Sequence, residues 1–96
     1  MHRNKPVPEP SSEVIEIITR TDDKDLLQKF FSEIFTEAEL KDLSLRWELM
    51  KRLREGIPQR QIASELGISL CKITRGAKIL KDPTSATNKL FSQFFT

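Results

Sequence analysis

Residues 36–55 are predicted to form one helix that carries two separate apolar rows. At about 100° per residue, these rows lie roughly 130° apart on the helix surface. The first row consists of Leu40, Leu43, Trp47 and Met50, and the second of Leu45, Leu49 and Leu53. Because the surface helix of a small monomer needs only one apolar stripe, this helix must be packed on two sides. The pattern therefore favours a helix bundle or an intertwined dimer.

The segments before this helix also have helical spacing. Ser12 is expected to cap a short first helix, and residues 21–23 separate it from a second helix that runs to about residue 35. Thr36 and Glu39 have the spacing of a capping box, in which each side chain satisfies the other residue's backbone N–H. This box predicts the start of the helix with two apolar rows.

Three more helices are predicted after Gly56. Pro58 suits the first turn of a fourth helix and Gly67 suits its end, while Ser69 is suited to cap a fifth helix. The pair at 82–83, Asp-Pro, then interrupts the chain before a last helix. That helix carries a large apolar stripe made of Leu90, Phe91, Phe94 and Phe95. No segment alternates as a strand does over a useful length, so the predicted fold class is all-α, with six helices.

Length and composition limit the chain to one small domain. Three of the first ten residues are proline, so residues 1–11 are predicted to be a disordered N-terminal arm and residues 12–96 one helical domain. A domain of this size buries a modest fraction of its surface, which is a further reason to consider a homodimer. The lone Cys71, with no signal peptide and no long apolar run, predicts a cytoplasmic protein without membrane contact.

Neither an enzyme nor a metal site is expected from the sequence. The single histidine, His2, lies in the predicted arm, and no nucleophile, acid–base pair or metal-ligating cluster has suitable spacing. Cys71 is interpreted as a small side chain that permits close approach to a partner, because no histidine or aspartate accompanies it as a catalytic base.

Basic side chains are concentrated in residues 58–81. This stretch has a single acidic residue, Glu65, against five basic residues, which are Arg60, Lys72, Arg75, Lys78 and Lys81. A basic cluster on one module is typical of a protein that binds a polyanion. A solvated surface explains the charge equally well, so the spacing of the apolar residues has to decide.

Residues 58–80, with the sequence PQRQIASELGISLCKITRGAKIL, have the spacing of a helix-turn-helix. The residues predicted to form its small core are Ile62, Leu66, Ile68 and Ile73. Ala63 is small because the two helices cross there, and Gly67 provides the positive φ of the sharp turn. An ordinary helical hairpin is the alternative interpretation of the same pattern.

A helix-turn-helix places its second helix in the major groove of DNA, with the N-terminal residues of that helix against base edges. Arg60 is expected to reach either a guanine edge or a phosphate, whereas Lys78 and Lys81 are expected to contact phosphates. The full set of predicted DNA-binding residues is Gln59, Arg60, Leu70, Cys71, Lys72, Thr74, Lys78 and Lys81.

Several short motifs between residues 30 and 81 occur together. They are Phe35-Thr36 before an acidic helix start, Arg46 ten residues later, Gln59-Arg60, Glu65-Leu66-Gly67, and Ile73-Thr74-Arg75-Gly76 with Lys81 five residues beyond. In these motifs the chain resembles the bacterial Trp repressor family. The resemblance implies an intertwined homodimer of six-helix subunits, in which both chains build one core and two helix-turn-helix units protrude.

The resemblance also implies a pocket between the core and the helix-turn-helix, where L-tryptophan acts as co-repressor. The matching positions in this chain are Thr36, Arg46, Arg75 and Gly76. From the residues alone, Arg46 can pair either with a ligand carboxylate or with Asp42 one turn earlier. Its place at the edge of the second apolar row suggests a partly shielded guanidinium. Arg75 can stack its guanidinium on an indole ring.

Three features depart from the family pattern. The loop at residues 56–59 is one residue shorter than in the best-known members, and Lys72 and Ile79 stand where those members have small hydroxyl residues that line the pocket. Ile79 cannot accept a hydrogen bond from a ligand ammonium, and Lys72 adds a positive charge. These changes concern the ligand and leave the prediction of DNA binding unaltered.

The predicted function is that of a transcriptional repressor that binds double-stranded operator DNA as a homodimer, with L-tryptophan as co-repressor. One alternative is a helix-turn-helix regulator of the same superfamily that responds to another ligand or to none. The alternative from a different class is a protein-interaction module whose apolar last helix docks a partner. The basic charge of residues 58–81 argues against that module.

Overall fold

The computed structural model describes residues 12–95, and its helices are α1 (Ser12–Arg20), α2 (Lys24–Ile34), α3 (Glu37–Arg54), α4 (Gln59–Leu66), α5 (Leu70–Lys81) and α6 (Ala86–Phe94). The prediction of an all-α fold with six helices is confirmed, since none of these described residues lies in a strand. The predicted disordered arm, residues 1–11, lies outside the described range. The described residues divide into two compact units, with the boundary between Leu40 and Lys41.

Local caps define the two helices of the first unit. The side chain of Asp23 accepts a hydrogen bond from the Leu26 N–H at 3.0 Å, so α2 begins where the sequence predicted a break. Helix α1 begins at Ser12, the first described residue, so the predicted cap by Ser12 stays a prediction. Neither helix has a fully buried residue. The apolar side chains of both helices thus remain largely open within this unit.

The predicted capping box is present at the start of α3. The Thr36 N–H donates to Glu39 Oε1 at 2.9 Å, and the Glu39 N–H donates to Thr36 Oγ1 at 3.1 Å. Two hydrogen bonds with Thr36 hold the pKa of Glu39 below its ordinary value. The bond with the Thr36 backbone has the larger effect, and the bond with the Thr36 side chain has the smaller. The helix begins at this point because the box satisfies two backbone N–H groups that have no partner inside the helix.

The core of the second unit lies between the C-terminal half of α3 and the pair α4–α5. Its buried centre consists of Leu49, Ile62 and Ile73. Partly buried apolar residues surround this centre, namely Leu53, Ile57, Ala63, Leu66 and Ile68. The residues predicted to form the core of a helix-turn-helix therefore do pack together.

The turn between α4 and α5 follows the predicted chemistry. Gly67 ends α4 in the left-handed conformation, with φ 64° and ψ 37°, and its N–H donates to the Ala63 carbonyl at 2.9 Å. The Ser69 side chain then caps α5 by accepting from the Lys72 N–H at 3.4 Å. Pro58 lies immediately before α4, with φ −57°, so its predicted place in the first turn is wrong by one residue. Its missing N–H is tolerated at either position.

The two apolar rows of α3 have different surroundings in the second unit. In the second row, Leu49 is buried in the core. In the first row, Met50 is buried, and Trp47 packs on Phe91 with ring centroids 4.9 Å apart. Leu43 and Trp47 nevertheless remain 47% and 41% exposed. The first row is thus only partly covered within the second unit.

Helix α6 covers part of the first row with its aromatic stripe. Phe91 is fully buried, and the ring of Phe95 lies 5.6 Å from it. The guanidinium of Arg54 donates to the Phe95 carbonyl at 2.8 Å, which fixes the end of α6 on α3. The other two residues of the stripe, Leu90 and Phe94, are 47% and 73% exposed.

Candidate DNA-binding surface and ligand cavity

The DNA-binding residues predicted from the sequence lie on the surface of α4 and α5. Gln59 and Arg60 are in the first turn of α4, and the others belong to α5. All of them are exposed, namely Gln59, Arg60, Leu70, Cys71, Lys72, Thr74, Lys78 and Lys81. The fold therefore leaves these side chains accessible, which contact with base edges and phosphates requires.

The cations of this surface are not neutralised by neighbouring acids. In the part of the chain that the structure describes, no carboxylate lies within ion-pairing distance of Arg60, Lys72, Lys78 or Lys81. Such cations can replace the counterions that surround the phosphates of DNA.

Helix α5 presents three different faces. The shielded face consists of Ile73, Ala77 and Leu80. The face that lines a cavity consists of Lys72, Arg75, Gly76 and Ile79. The exposed face consists of Cys71, Thr74, Lys78 and Lys81. Because residues three, four and seven apart follow one side of a helix, most of the candidate DNA-binding residues of α5 lie on a different face from the cavity. Lys72 is the exception, since it is a candidate DNA-binding residue and also lines the cavity.

Two residues on the exposed face have features that bear on DNA contact. The hydroxyl of Thr74 donates to the Leu70 carbonyl at 2.9 Å, so its methyl group and its oxygen lone pairs remain available to a partner. Cys71 carries a free, exposed thiol in the first turn of α5. Its small side chain permits close approach of this turn to another surface.

An ion-pair network joins α3 to the first helix of the helix-turn-helix. Arg52 on α3 contacts Glu48 at 3.2 Å and also pairs with Glu65 on α4. The other oxygen of Glu65 accepts from the Gln61 side chain at 2.9 Å. The network links α4 to α3. Nothing in the sequence pointed to it, because Arg52 and Glu65 are distant in the sequence.

A cavity in the second unit has a volume of about 470 Å³, which is in the usual range for small-molecule sites. Helices α3, α5 and α6 and the turn before α5 contribute to its wall. The lining residues are Asp42, Leu45, Arg46, Leu49, Met50, Ile68, Lys72, Arg75, Gly76, Ile79 and Thr87. The wall thus combines an apolar surface with three cations and one carboxylate, which suits a ligand that has an apolar body and a charged end.

Of the four ligand-binding residues predicted from the sequence, three line this cavity. They are Arg46, Arg75 and Gly76. Thr36 lies in the first unit as the cap of α3, and its place at a ligand site stays a prediction. Lys72 and Ile79, the two departures from the family pattern, also line the cavity.

Two partners are considered for Arg46 from the sequence, a ligand carboxylate and Asp42. Among residues 12–95, no carboxylate pairs with Arg46 or Arg75, so the ion pair between Arg46 and Asp42 is not formed. Arg46 is exposed and lines the cavity wall. Its contact with a ligand carboxylate and the partial shielding of its guanidinium stay predictions.

Gly76 brings α5 close to α3. A Cβ atom at this position would lie 3.0 Å from Met50 Sδ and 3.1 Å from Leu53 Cδ1, closer than ordinary van der Waals contact. The close packing of α5 on α3 therefore favours glycine at this position, whether or not Gly76 also contacts a ligand.

Part of the cavity wall gave no signal in the sequence. Thr87 lies on α6, and only the fold brings that helix to the cavity. From the sequence, Asp42 is expected only as an ion-pair partner of Arg46. The spacing of four residues between them is the one sign in the sequence that both side chains lie on the same side of α3.

Comparison with known proteins tests the family resemblance. The family model described as Trp repressor protein matches residues 10–94, which is most of the chain. The chain belongs to the Trp repressor family. This member of the Trp repressor family is therefore a transcriptional repressor. The family as a whole is regulatory and not enzymatic.

Relatives with this name occur in several bacteria. A Trp operon repressor homolog of Xylella fastidiosa (strain M23) is 39% identical over 70 residues, which cover 72% of this chain and 76% of the relative. A homolog of Chlamydia trachomatis serovar D is 41% identical over 56 residues, covering 57% and 60%. One of Vibrio parahaemolyticus is 29% identical over 75 residues, covering 77% and 73%. No solved structure matches this chain significantly.

Residues 12–95 contain no group of three or more His, Cys, Asp or Glu side chains that could hold a metal ion. None of the described helices is long and apolar enough to cross a membrane.

Proposed function

We propose that this member of the Trp repressor family represses transcription as a homodimer that binds a pseudo-palindromic operator when L-tryptophan occupies the cavity. The observation that carries the proposal is the arrangement of α5. One face of this helix is exposed and carries unpaired cations, and the adjacent face lines the cavity with Arg75. A ligand in the cavity would therefore bear directly on the helix that reads DNA.

This arrangement predicts which residues of α4 and α5 contact DNA. The first turn of α5, with Leu70 and Cys71, enters the major groove and meets base edges, as in other helix-turn-helix proteins. Lys78 and Lys81, farther along the same face, meet phosphates and fix the register of the protein on the duplex. Arg60 in the first turn of α4 reaches a guanine edge or a phosphate.

We propose that the cavity binds both the carboxylate and the indole ring of tryptophan. The two carboxylate oxygens pair with Arg46 and Arg75, neither of which has an acidic partner within the described residues. The indole lies against the apolar wall, where the guanidinium of Arg75 can stack on it. Thr36 is proposed as a further ligand residue on the family resemblance alone.

Co-repression requires that tryptophan bind the DNA-competent orientation of α5 more tightly than other orientations. A tenfold gain in operator affinity needs only about 1.4 kcal/mol of such difference. One charge-assisted hydrogen bond contributes about 1.5–3 kcal/mol. A contact of the carboxylate with Arg75, which belongs to α5 itself, is therefore sufficient in magnitude.

A homodimer is proposed because the chain leaves large apolar side chains open. Leu43 and Trp47 on α3 and Leu90 and Phe94 on α6 are each at least 41% exposed, although Trp47 already packs on α6. A second copy that covers this surface would bury the first apolar row of α3 on its open side.

Size-exclusion chromatography with light scattering tests the dimer. The expected mass is about twice that of the 11.1 kDa chain, and the midpoint of thermal unfolding is expected to rise with protein concentration. A monomer that remains folded at micromolar concentration would contradict the intertwined arrangement.

Binding to duplex DNA at several salt concentrations tests the DNA-binding surface. Lys78→Ala is expected to weaken binding to all sequences alike. It should reduce the slope of log K against log salt by about 1.8, because each of the two subunits loses one phosphate contact, worth about 0.9 in slope. Arg60→Ala and Lys72→Ala are expected to change sequence preference if these residues reach base edges. The matched control is Lys89→Ala on α6, which should leave both properties unchanged.

One outcome would show that α4 and α5 are not the DNA-binding unit. In that outcome, Lys78→Ala, Arg60→Ala and Lys72→Ala all bind DNA with the affinity, the salt dependence and the sequence preference of the wild type.

A second candidate function is a repressor that answers a ligand other than tryptophan. It is favoured by Lys72 and Ile79, which line the cavity where the resemblance implies small hydroxyl residues. Calorimetric titration separates the two functions. Operator binding that is unaffected by tryptophan, with no heat of tryptophan binding, would support the second candidate.

A further inference from the structure

We infer that Asp42 is the ammonium acceptor of the cavity and makes it selective for α-amino acids over carboxylic acids that lack an amino group. The inference rests on the proposed function, since it requires that the cavity be the ligand site. Asp42 lies outside the set of ligand-binding residues that the sequence predicts. That set consists of Thr36, Arg46, Arg75 and Gly76.

The charges of the cavity wall single out Asp42. It is the one carboxylate among the lining residues, which include three cations, Arg46, Lys72 and Arg75. Within residues 12–95 it takes part in no ion pair and in no side-chain hydrogen bond, although one of the cations lies a single helical turn away. An exposed carboxylate without a partner at a cavity wall is available to a cationic group of a ligand.

The placement of Asp42 and Arg46 matches the two charged groups of an α-amino acid. Residues four apart on a helix have Cβ atoms about 5–6 Å apart and extend from the same side. An amino acid carries its ammonium and its carboxylate on one carbon atom. A ligand whose carboxylate meets Arg46 thus brings its ammonium within reach of Asp42.

The rest of the wall offers no equal alternative for the ammonium. Ile79 has no polar atom, and Gly76 has no side chain. The hydroxyl of Thr87 can accept a hydrogen bond, but it is neutral. The ammonium is attracted by the opposite charge of the Asp42 carboxylate, and the neutral hydroxyl of Thr87 provides no such attraction, so the ammonium should prefer Asp42.

This assignment explains how the cavity can lose a hydroxyl at position 79 and still take a zwitterion. With three cations and no anion, the wall would favour ligands with net negative charge. The carboxylate of Asp42 offsets one of these cations and gives the ammonium of a zwitterion a favourable place.

Isothermal titration calorimetry with L-tryptophan and with indole-3-propionate, which lacks the ammonium, tests the inference. Wild-type protein is expected to bind L-tryptophan. Asp42→Asn is expected to weaken tryptophan binding by about tenfold or more and to leave indole-3-propionate binding unchanged or tighter. Asp42→Glu should retain part of the preference for tryptophan. The matched control, Asp25→Asn on α2, should behave like the wild type with both ligands.

The outcomes separate this inference from the proposed function. If wild-type protein binds neither ligand, the cavity is not a site for indole carboxylates, and the proposed function fails with the inference. If wild type binds either ligand and Asp42→Asn changes the affinities for both alike, or for neither, the role of Asp42 is wrong while the site remains. Circular dichroism and thermal unfolding of each variant identify a loss of binding that is caused by unfolding, and Asp42→Glu then decides.

Discussion

Replacing Ile73 with alanine is expected to lower the free energy of unfolding by about 2–5 kcal/mol. Ile73 is fully inaccessible to solvent and lies with Leu49 and Ile62 at the centre of the core that joins α3, α4 and α5. Its truncation removes buried methyl groups and leaves a cavity that three packed helices cannot readily close. In a domain this small, such a loss is a large share of the total stability.

Chemical denaturation at a fixed protein concentration measures this effect. The matched control is Leu70→Ala, which removes an aliphatic side chain of the same size from the same helix at a position that is 48% exposed. The control is expected to change stability by no more than about 0.5 kcal/mol. Equal losses for the two variants would mean that Ile73 is not in the core of the folded protein.

Replacing Arg75 or Arg46 with alanine is expected to weaken the binding of L-tryptophan by about 10–150-fold, the loss of one charge-assisted contact. Both residues line the cavity, and within the described residues neither has a carboxylate partner that would compete with the ligand. Arg75→Ala is expected to have the larger effect, because it also removes a stacking surface for the indole.

Calorimetry with tryptophan measures both variants, with Arg20→Ala on α1 as the control for loss of an exposed arginine. The response of operator binding to tryptophan should weaken in parallel with the ligand affinity, since the two are linked. Full tryptophan response in both Arg46→Ala and Arg75→Ala would remove the carboxylate role from these residues.

The parts of the fold that were predicted correctly from the sequence depend on local interactions. The capping box of Thr36 and Glu39, the left-handed Gly67 and the cap by Ser69 each involve residues within about one helical turn. Such signals need no knowledge of the tertiary structure. The start of α4 estimated in this way was wrong by a single residue at Pro58.

The parts that were missed depend on contacts between distant segments. The pairing of Arg52 with Glu65 and the approach of Thr87 to the cavity both require α3, α4 and α6 to be in place.

The central claim is that this member of the Trp repressor family binds a specific operator through α4 and α5 and that tryptophan strengthens the binding. Selection from a pool of random DNA duplexes, performed with and without millimolar L-tryptophan, tests it most directly. The account predicts that tryptophan enriches a pseudo-palindrome whose half-sites lie about one helical turn of DNA, roughly 34–36 Å, apart or a multiple of that distance. Enrichment of no common sequence under either condition would contradict the account.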